Sequence, residues 1–309
     1  MAEMREIYSN TLIELANNDE RIVVVEADLM HANGTSSFQD SFPDRIFNVG
    51  VAEANMIGIA SGLSAMGKIP FANTFASFAA RRDYDQFFLS ANYARLNVKL
   101  IGTDPGICAA FNGGTHMPFE DIGLMRLIPG CTVIEPSDGI SLRSLLHQIT
   151  YDAKCTYIRI NRKTSPTIYI EEDIFELGKG KIICEGSDVT IIATGSIMVP
   201  EALKAVENLK REGISAGLID LHTIKPLDTE LILEYAEKTK KIVTCENHQI
   251  IGGIGSAIAE FLSENYPIPI KRIGIKDRFG QVGDIEYLKK EYELNSGTIE
   301  KATKSLLAN

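Results

Sequence analysis

Two α/β domains, each a parallel sheet covered by helices, are what this sequence predicts, and three observations carry the prediction. Short β-branched runs, such as Arg21-Ile22-Val23-Val24-Val25-Glu26 and Val189-Thr190-Ile191-Ile192-Ala193, lack polar alternation, as strands do when both faces of their sheet are covered. Segments of helical length separate the runs, and connections that long join parallel neighbours through crossovers. The rhythm breaks over the polar, proline-containing stretch 162–172 and then begins again, in a chain of 309 residues that is long for one core and ample for two. We therefore expect one domain over residues 1–170, a second over 185–309, and a linker at 171–184.

The first domain opens with an amphipathic helix over residues 4–16, ended by Asn17-Asn18-Asp19, and a buried strand over 21–26. Strands follow near 46–49, 69–73, 98–102, 132–135 and 156–160, with helices near 54–65, 82–94 and 141–150. In the second domain a strand starts at Val189, and a helix near 200–211 has Pro200 in its first turn, where the missing N–H costs nothing. A strand over 216–221, a turn at Lys225-Pro226-Leu227-Asp228 into a helix, and a strand over 241–246 come next. Gly252-Gly253-Ile254-Gly255-Ser256 opens a further helix and is not the dinucleotide pattern with its acidic partner.

Composition narrows the function. Hydrophobic residues make up 45%, and no apolar run approaches the ~20 residues that cross a bilayer, so no membrane partner is expected. The polar start Met1-Ala2-Glu3-Met4-Arg5-Glu6 leads into no apolar h-region, which argues against a signal peptide. Five dispersed cysteines without CxxC spacing fit reduced thiols and a cytoplasmic location. A net charge of −10 argues against nucleic acid, so an anionic substrate would need basic residues at the site itself.

Three motifs carry chemistry. Glu53 lies in Phe47-Asn48-Val49-Gly50-Val51-Ala52-Glu53-Ala54-Asn55-Met56, and taken alone it reads as a first-turn helix acid favoured by the macrodipole. The small residues Gly58, Ala60, Ser61 and Gly62 that follow let another surface approach the backbone, so its carboxyl would be partly desolvated and favoured in the neutral form. Phe75 and Phe78 are three apart at a helix start and share a face. Gly113-Gly114-Thr115-His116-Met117-Pro118 presents His116 on a glycine loop after a strand end, where ligands gather in open α/β sheets.

In this order the motifs resemble the thiamine diphosphate pyrimidine site of transketolases, 1-deoxyxylulose-5-phosphate synthases and beta subunits of 2-oxoacid dehydrogenases. Thr74-Phe75, Ile128-Pro129, Pro136-Ser137-Asp138, Ala193-Thr194-Gly195-Ser196 and Gly252–Ser256 extend the resemblance over essentially the whole chain. It is most similar to the separate C-terminal subunit of a split transketolase. The Gly-Asp-Gly motif followed by Asn, which holds metal and diphosphate in these families, occurs nowhere in the sequence. The resemblance therefore implies a transferase that moves a two-carbon ketol unit between sugar phosphates, as in the pentose phosphate pathway. It implies an N-terminal partner subunit carrying Gly-Asp-Gly…Asn, which binds Mg²⁺ or Ca²⁺, with this chain supplying no metal ligand, and assembly as a heterotetramer.

The same resemblance gives Glu53 the role of activating the cofactor's aminopyrimidine, a general acid–base task relayed through the ring. It places Phe75 and Phe78 against that ring, with Phe78 stacking, and Asp28 near the thiazolium. Arg81 stands where a third aromatic is usual. His116 is implied as a catalytic and substrate-contacting residue. Arg162 matches a phosphate-binding arginine, suited by its bidentate fork, and Arg5 falls near a second such position. Asp104 and Asn112 replace a histidine and an aspartate of transketolases among the substrate-facing residues, Asp104 being shared with the deoxyxylulose synthases. His248 is expected to be structural. A dehydrogenase beta subunit, part of a deoxyxylulose synthase-like enzyme, and a non-catalytic regulatory or scaffold subunit remain alternatives.

Overall fold

The structure, a computed structural model, describes residues 2–308. Among them the strands are β1 (Ile22–Glu26), β2 (Ile46–Asn48), β3 (Ile69–Phe75), β4 (Lys99–Thr103), β5 (Thr132–Ile134), β6 (Thr156–Ile160), β7 (Lys181–Cys184), β8 (Val189–Ala193), β9 (Ala216–Asp220), β10 (Thr223–Lys225), β11 (Ile242–Gln249) and β12 (Ile270–Ile275). They form two sheets, ordered β10-β5-β6-β4-β3-β1-β2 and β12-β11-β8-β9-β7. All pairings are parallel except at one edge of each sheet, where β10 and β7 run antiparallel to β5 and β9. Strands β1, β4, β6, β8 and β9 are buried along their whole length, as strands covered on both faces are, even where β4 and β6 carry Lys99 and Arg159.

The chain order reverses at β1, which has β2 on one side and β3 on the other. In open α/β sheets such a reversal opens a crevice at the carboxyl ends of the strands. The segments after β2 and β3 flank that crevice.

Four expectations need correction. The turn expected at 225–228 does lead into a helix, but it is preceded by an unexpected strand, β10, which leaves the second half of the chain to extend the first sheet. β7 lies inside the stretch expected as linker. The helix expected near 200–211 begins at Gly195, so Pro200 sits inside it rather than in its first turn. The helix expected over 82–94 is instead Ala76–Arg81, a break at Arg82 and Asp83, then Tyr84–Gln86 continued by the wider turns of Phe87–Tyr93. Two C-terminal helices, Ile285–Glu291 and Ser296–Leu307, also escaped the sequence reading.

The two sheets share a core. One apolar cluster runs from Met56, Leu100 and Val133 through Ile224 to Ile254 and Ile258. Behind it, Arg159 of β6 is fully buried. Its Nε and Nη2 donate to Asp121 at 2.7 and 3.1 Å, and its Nη2 also donates to the Asn247 carbonyl at 3.0 Å. Its Nη1 stands 2.7 Å from Glu135, paired by charge without an aligned hydrogen bond. Asn247 in turn receives the Ile107 amide at 3.0 Å and donates to Pro105 at 3.0 Å, tying β11 to the loop after β4. Among the described residues, no helix is long and apolar enough to cross a membrane.

Candidate active site

Glu53 is the first residue of the helix Glu53–Ala65, and only 4% of it is exposed. The turn before it depends on Gly50, whose φ of 76° favours glycine. Asn48, at the end of β2, fixes that turn by accepting the Gly50 amide at 3.0 Å and the Asp28 amide at 3.1 Å. Asp28 itself sits exposed after β1 with φ 63°, so Asn48 joins the ends of neighbouring strands. Nothing in the sequence reading singled out Asn48.

The Glu53 carboxylate accepts from Arg82 Nη1 at 2.8 Å. That guanidinium also lies over the Phe78 ring, 3.8 Å from its centroid. Next to it, Asp83 is fully buried and neither carboxyl oxygen has a hydrogen-bond partner. Burial, and secondarily the charge of Glu53, push the Asp83 carboxyl well above the usual carboxylate range. The sequence reading gave neither Arg82 nor Asp83 a role, because an unbroken helix there would have hidden them.

Phe75, Phe78 and His116 form a triangle of rings: Phe75–Phe78 at 5.8 Å, Phe75–His116 at 5.8 Å and Phe78–His116 at 5.2 Å. His116 Nδ1 shares a hydrogen bond of 3.0 Å with the Thr115 hydroxyl. Arg81 fastens this loop to the helix of Phe78. Its Nε donates to Glu120 at 2.5 Å, while Nη1 and Nη2 reach the carbonyls of Thr115 and Met117 at 3.2 and 3.4 Å. The residue that departs from the aromatic pattern is thus the clamp of the histidine loop. On its outer side the loop touches the second domain, where a Cβ on Gly280 would come within 2.8 Å of Gly114 Cα. A cleft of about 790 Å³ opens there, lined by Arg81, Thr115, Met117, Gln249, Arg278 and Phe279.

Arg162 follows β6 and lies 4.8 Å from the Phe75 centroid. Its Nε donates to Asp104 at 2.7 Å and its backbone amide to the same carboxylate at 3.2 Å, with a further contact from Nη2. Asp104 adopts φ 53° to meet it. Arg5 joins through the backbone, donating its amide to the Arg162 carbonyl at 3.4 Å. Its side chain is paired with Glu3 at 2.6 Å and reaches the Ala32 carbonyl at 3.2 Å. The structure therefore brings Glu53, Phe75, Phe78, His116, Arg162 and Asp104 into one chain of contacts. Arg5 touches it at the backbone, while Asp28 and the exposed Asn112 lie at its margins. His248 is fully buried and accepts the Gly123 amide at 3.3 Å. Among the described residues, no group of three or more His, Cys, Asp or Glu is placed to hold a metal.

Residues 1–167 match the family described as transketolase, pyrimidine binding domain, and residues 178–299 match transketolase, C-terminal domain. The chain belongs to the transketolase family. It is 51% identical over 97% of its length to the 6-deoxy-6-sulfo-D-fructose transketolase subunit SqwH of Clostridium sp. (strain MSTE9), covering 92% of that protein. It is 44% identical to a putative transketolase C-terminal section of Methanocaldococcus jannaschii, covering 96% of this chain and 94% of that one. A solved structure entitled split gene transketolase, inactive beta4 tetramer, superposes with a TM-score of 0.90 at 40% identity, over 99% of this chain and 98% of the other. Against single-chain 1-deoxy-D-xylulose-5-phosphate synthases, such as that of Syntrophus aciditrophicus at 33% identity, the chain spans 47% of the longer protein. It is a transketolase-type transferase in the split form, one subunit of an enzyme, and its family works with thiamine diphosphate.

Proposed function

We propose that this chain is the pyrimidine-gripping subunit of a transketolase that moves a two-carbon ketol unit between sugars bearing a terminal anion, and that it turns over only with a diphosphate-binding partner. The observation that carries the reading is the pairing of a buried carboxylate, Glu53, with an aromatic face, Phe78, at the carboxyl ends of the strands. A planar nitrogen donor already fits there, since the Arg82 guanidinium contacts both. The aminopyrimidine of thiamine diphosphate offers the same combination of flat face and ring-edge nitrogens, so the seat suits it.

In this reading Glu53 and Phe78, with Phe75 beside them, hold the pyrimidine, and Asp28 lies toward the thiazolium. When bound, the cofactor supplies the electron sink for carbon–carbon cleavage. Glu53 takes and returns a proton at the ring nitrogen it faces, which its shielded position allows. His116, anchored by Thr115 and the Arg81 clamp, contacts the oxygens of the sugar. Arg162 receives the terminal phosphate or sulfonate, and Asp104 orients its guanidinium; Arg5 and Asn112 border the same path. Mg²⁺ or Ca²⁺ and the diphosphate belong to the partner subunit with its Gly-Asp-Gly…Asn motif, and two copies of each chain form the heterotetramer. The chain divides into a pyrimidine-binding domain, residues 1–170, and a C-terminal domain that includes β7, so the linker between them ends before Lys181. The setting is cytoplasmic carbohydrate metabolism, in the pentose phosphate pathway or a sulfosugar counterpart.

The test is co-expression with the partner and an assay of thiamine diphosphate- and Mg²⁺-dependent transfer from xylulose 5-phosphate and from 6-deoxy-6-sulfofructose. Glu53→Gln should lower kcat by about 100-fold or more. Full activity of Glu53→Gln, or turnover by the purified single chain, would contradict the proposal.

A further inference from the structure

We infer that Arg82 is a resident placeholder of the pyrimidine seat, occupying the face of Phe78 and the carboxylate of Glu53 until cofactor displaces it. The inference rests on the reading of Glu53 and Phe78 given above. Arg82 makes the two contacts that the seat has to offer: the ion pair at 2.8 Å and the stack at 3.8 Å. A second planar group cannot lie on that ring face and bond that carboxylate oxygen while the guanidinium is there.

The local fold is built for this reach. The helix Ala76–Arg81 stops one residue short of Arg82, and the next helical turn begins only at Tyr84. Arg82 is thereby set at a break, while its neighbour Arg81 bonds the histidine loop instead. The Arg82 side chain is 47% exposed, against 5% for that of Glu53. It can therefore swing into solvent without opening the core, leaving the acid in place.

Departure of the arginine also changes what Glu53 faces. Asp83, fully buried with both oxygens unpartnered, lies on the inner side of the same cluster. With the guanidinium present, Glu53 is neutralised as an ion pair. With it gone, the shielded Glu53 carboxyl loses its cation and is left free to meet the edge of an incoming planar ligand.

Calorimetric titration of thiamine diphosphate, with Mg²⁺, into the reconstituted two-subunit complex tests the inference without relying on turnover. A half-exposed stack and an ion pair whose arginine is half-exposed are together modest, so Arg82→Ala should bind about tenfold tighter (about 1.4 kcal/mol) than the unaltered protein. Ethylguanidinium added to Arg82→Ala should refill the vacated place and weaken cofactor binding, with no such effect on the unaltered complex. Arg82→Lys, which keeps the charge but loses the planar stack, should fall between the two. Binding by Arg82→Ala that is no tighter than that of the unaltered protein, with ethylguanidinium inert, overturns the placeholder alone. Absence of cofactor binding in every variant overturns the pyrimidine seat itself.

Discussion

Replacing Arg159 with methionine isolates the ionic knot behind the site. The side chain is fully buried and is shared by Asp121, Glu135 and the Asn247 carbonyl at 2.7 to 3.1 Å. Methionine fills much of the volume but leaves two carboxyl groups in the interior without a cation, which costs about 3–5 kcal/mol. For a domain of this size that lowers Tm by roughly 10 °C. Asp121 keeps one partner, the Tyr157 hydroxyl at 2.7 Å, so the loss should fall toward the lower end of that range. Adding Asp121→Asn and Glu135→Gln removes the stranded charges and should recover most of the loss, because a neutral replacement of a buried ionic group is often tolerated. Denaturant midpoints of the single and triple variants measure both steps. Amide exchange at Ile107, held through Asn247, should quicken in the single variant. A single variant that loses less than about 1 kcal/mol, or a triple variant no more stable than the single, would refute the reasoning.

Glu26 offers a pH test. It is fully buried, accepts from Thr35 at 2.6 Å and Asn33 at 3.0 Å, and burial pushes its carboxyl up to about 8 despite those bonds. Between its unfolded value of 4.5 and about 8 the folded chain keeps a proton that the unfolded chain releases, so this group's contribution to stability falls as pH rises through that window. Glu26→Gln should remove the fall, and its midpoint minus that of the unaltered chain should grow from pH 5 to pH 8; parallel curves would rule the assignment out. Arg81→Ala should cost less than about 1 kcal/mol of stability, since the Arg81–Glu120 pair is partly exposed. It should nevertheless raise KM several-fold by loosening the loop of His116, and unchanged kinetics of the reconstituted enzyme would dismiss the clamp.

The sheets were legible because β-branched runs buried on both faces leave an uninterrupted apolar signature, as in β1 and β8. The edges were not. β10 is three residues long and polar, and β7 is only partly buried, so neither carries that signature. Glu53, Phe75, Phe78, His116 and Arg162 were singled out by motif order, and they lie near one another because each stands at the carboxyl end of a strand of one parallel sheet or in the segment after it. Arg82 and Asp83 were given no role because their placement comes from a break in helical geometry that local propensity does not signal. Arg81 read as a missing aromatic, and its function emerged only with the folded position of the 113–118 loop. Pro200 was misplaced by treating proline as a start signal, when the helix already begins at the left-handed Gly195.

The bare backbones of Gly114 and Gly280 meet across the two halves of the molecule, with no side chain between them. The C-terminal half is therefore a wall of the cleft beside the His116 loop as well as a prop. Natural variants that lengthen or shorten the 277–283 turn would shift that loop directly. Under the proposed role of His116, changes in that turn alter sugar preference while Glu53 and Phe78 stay in place.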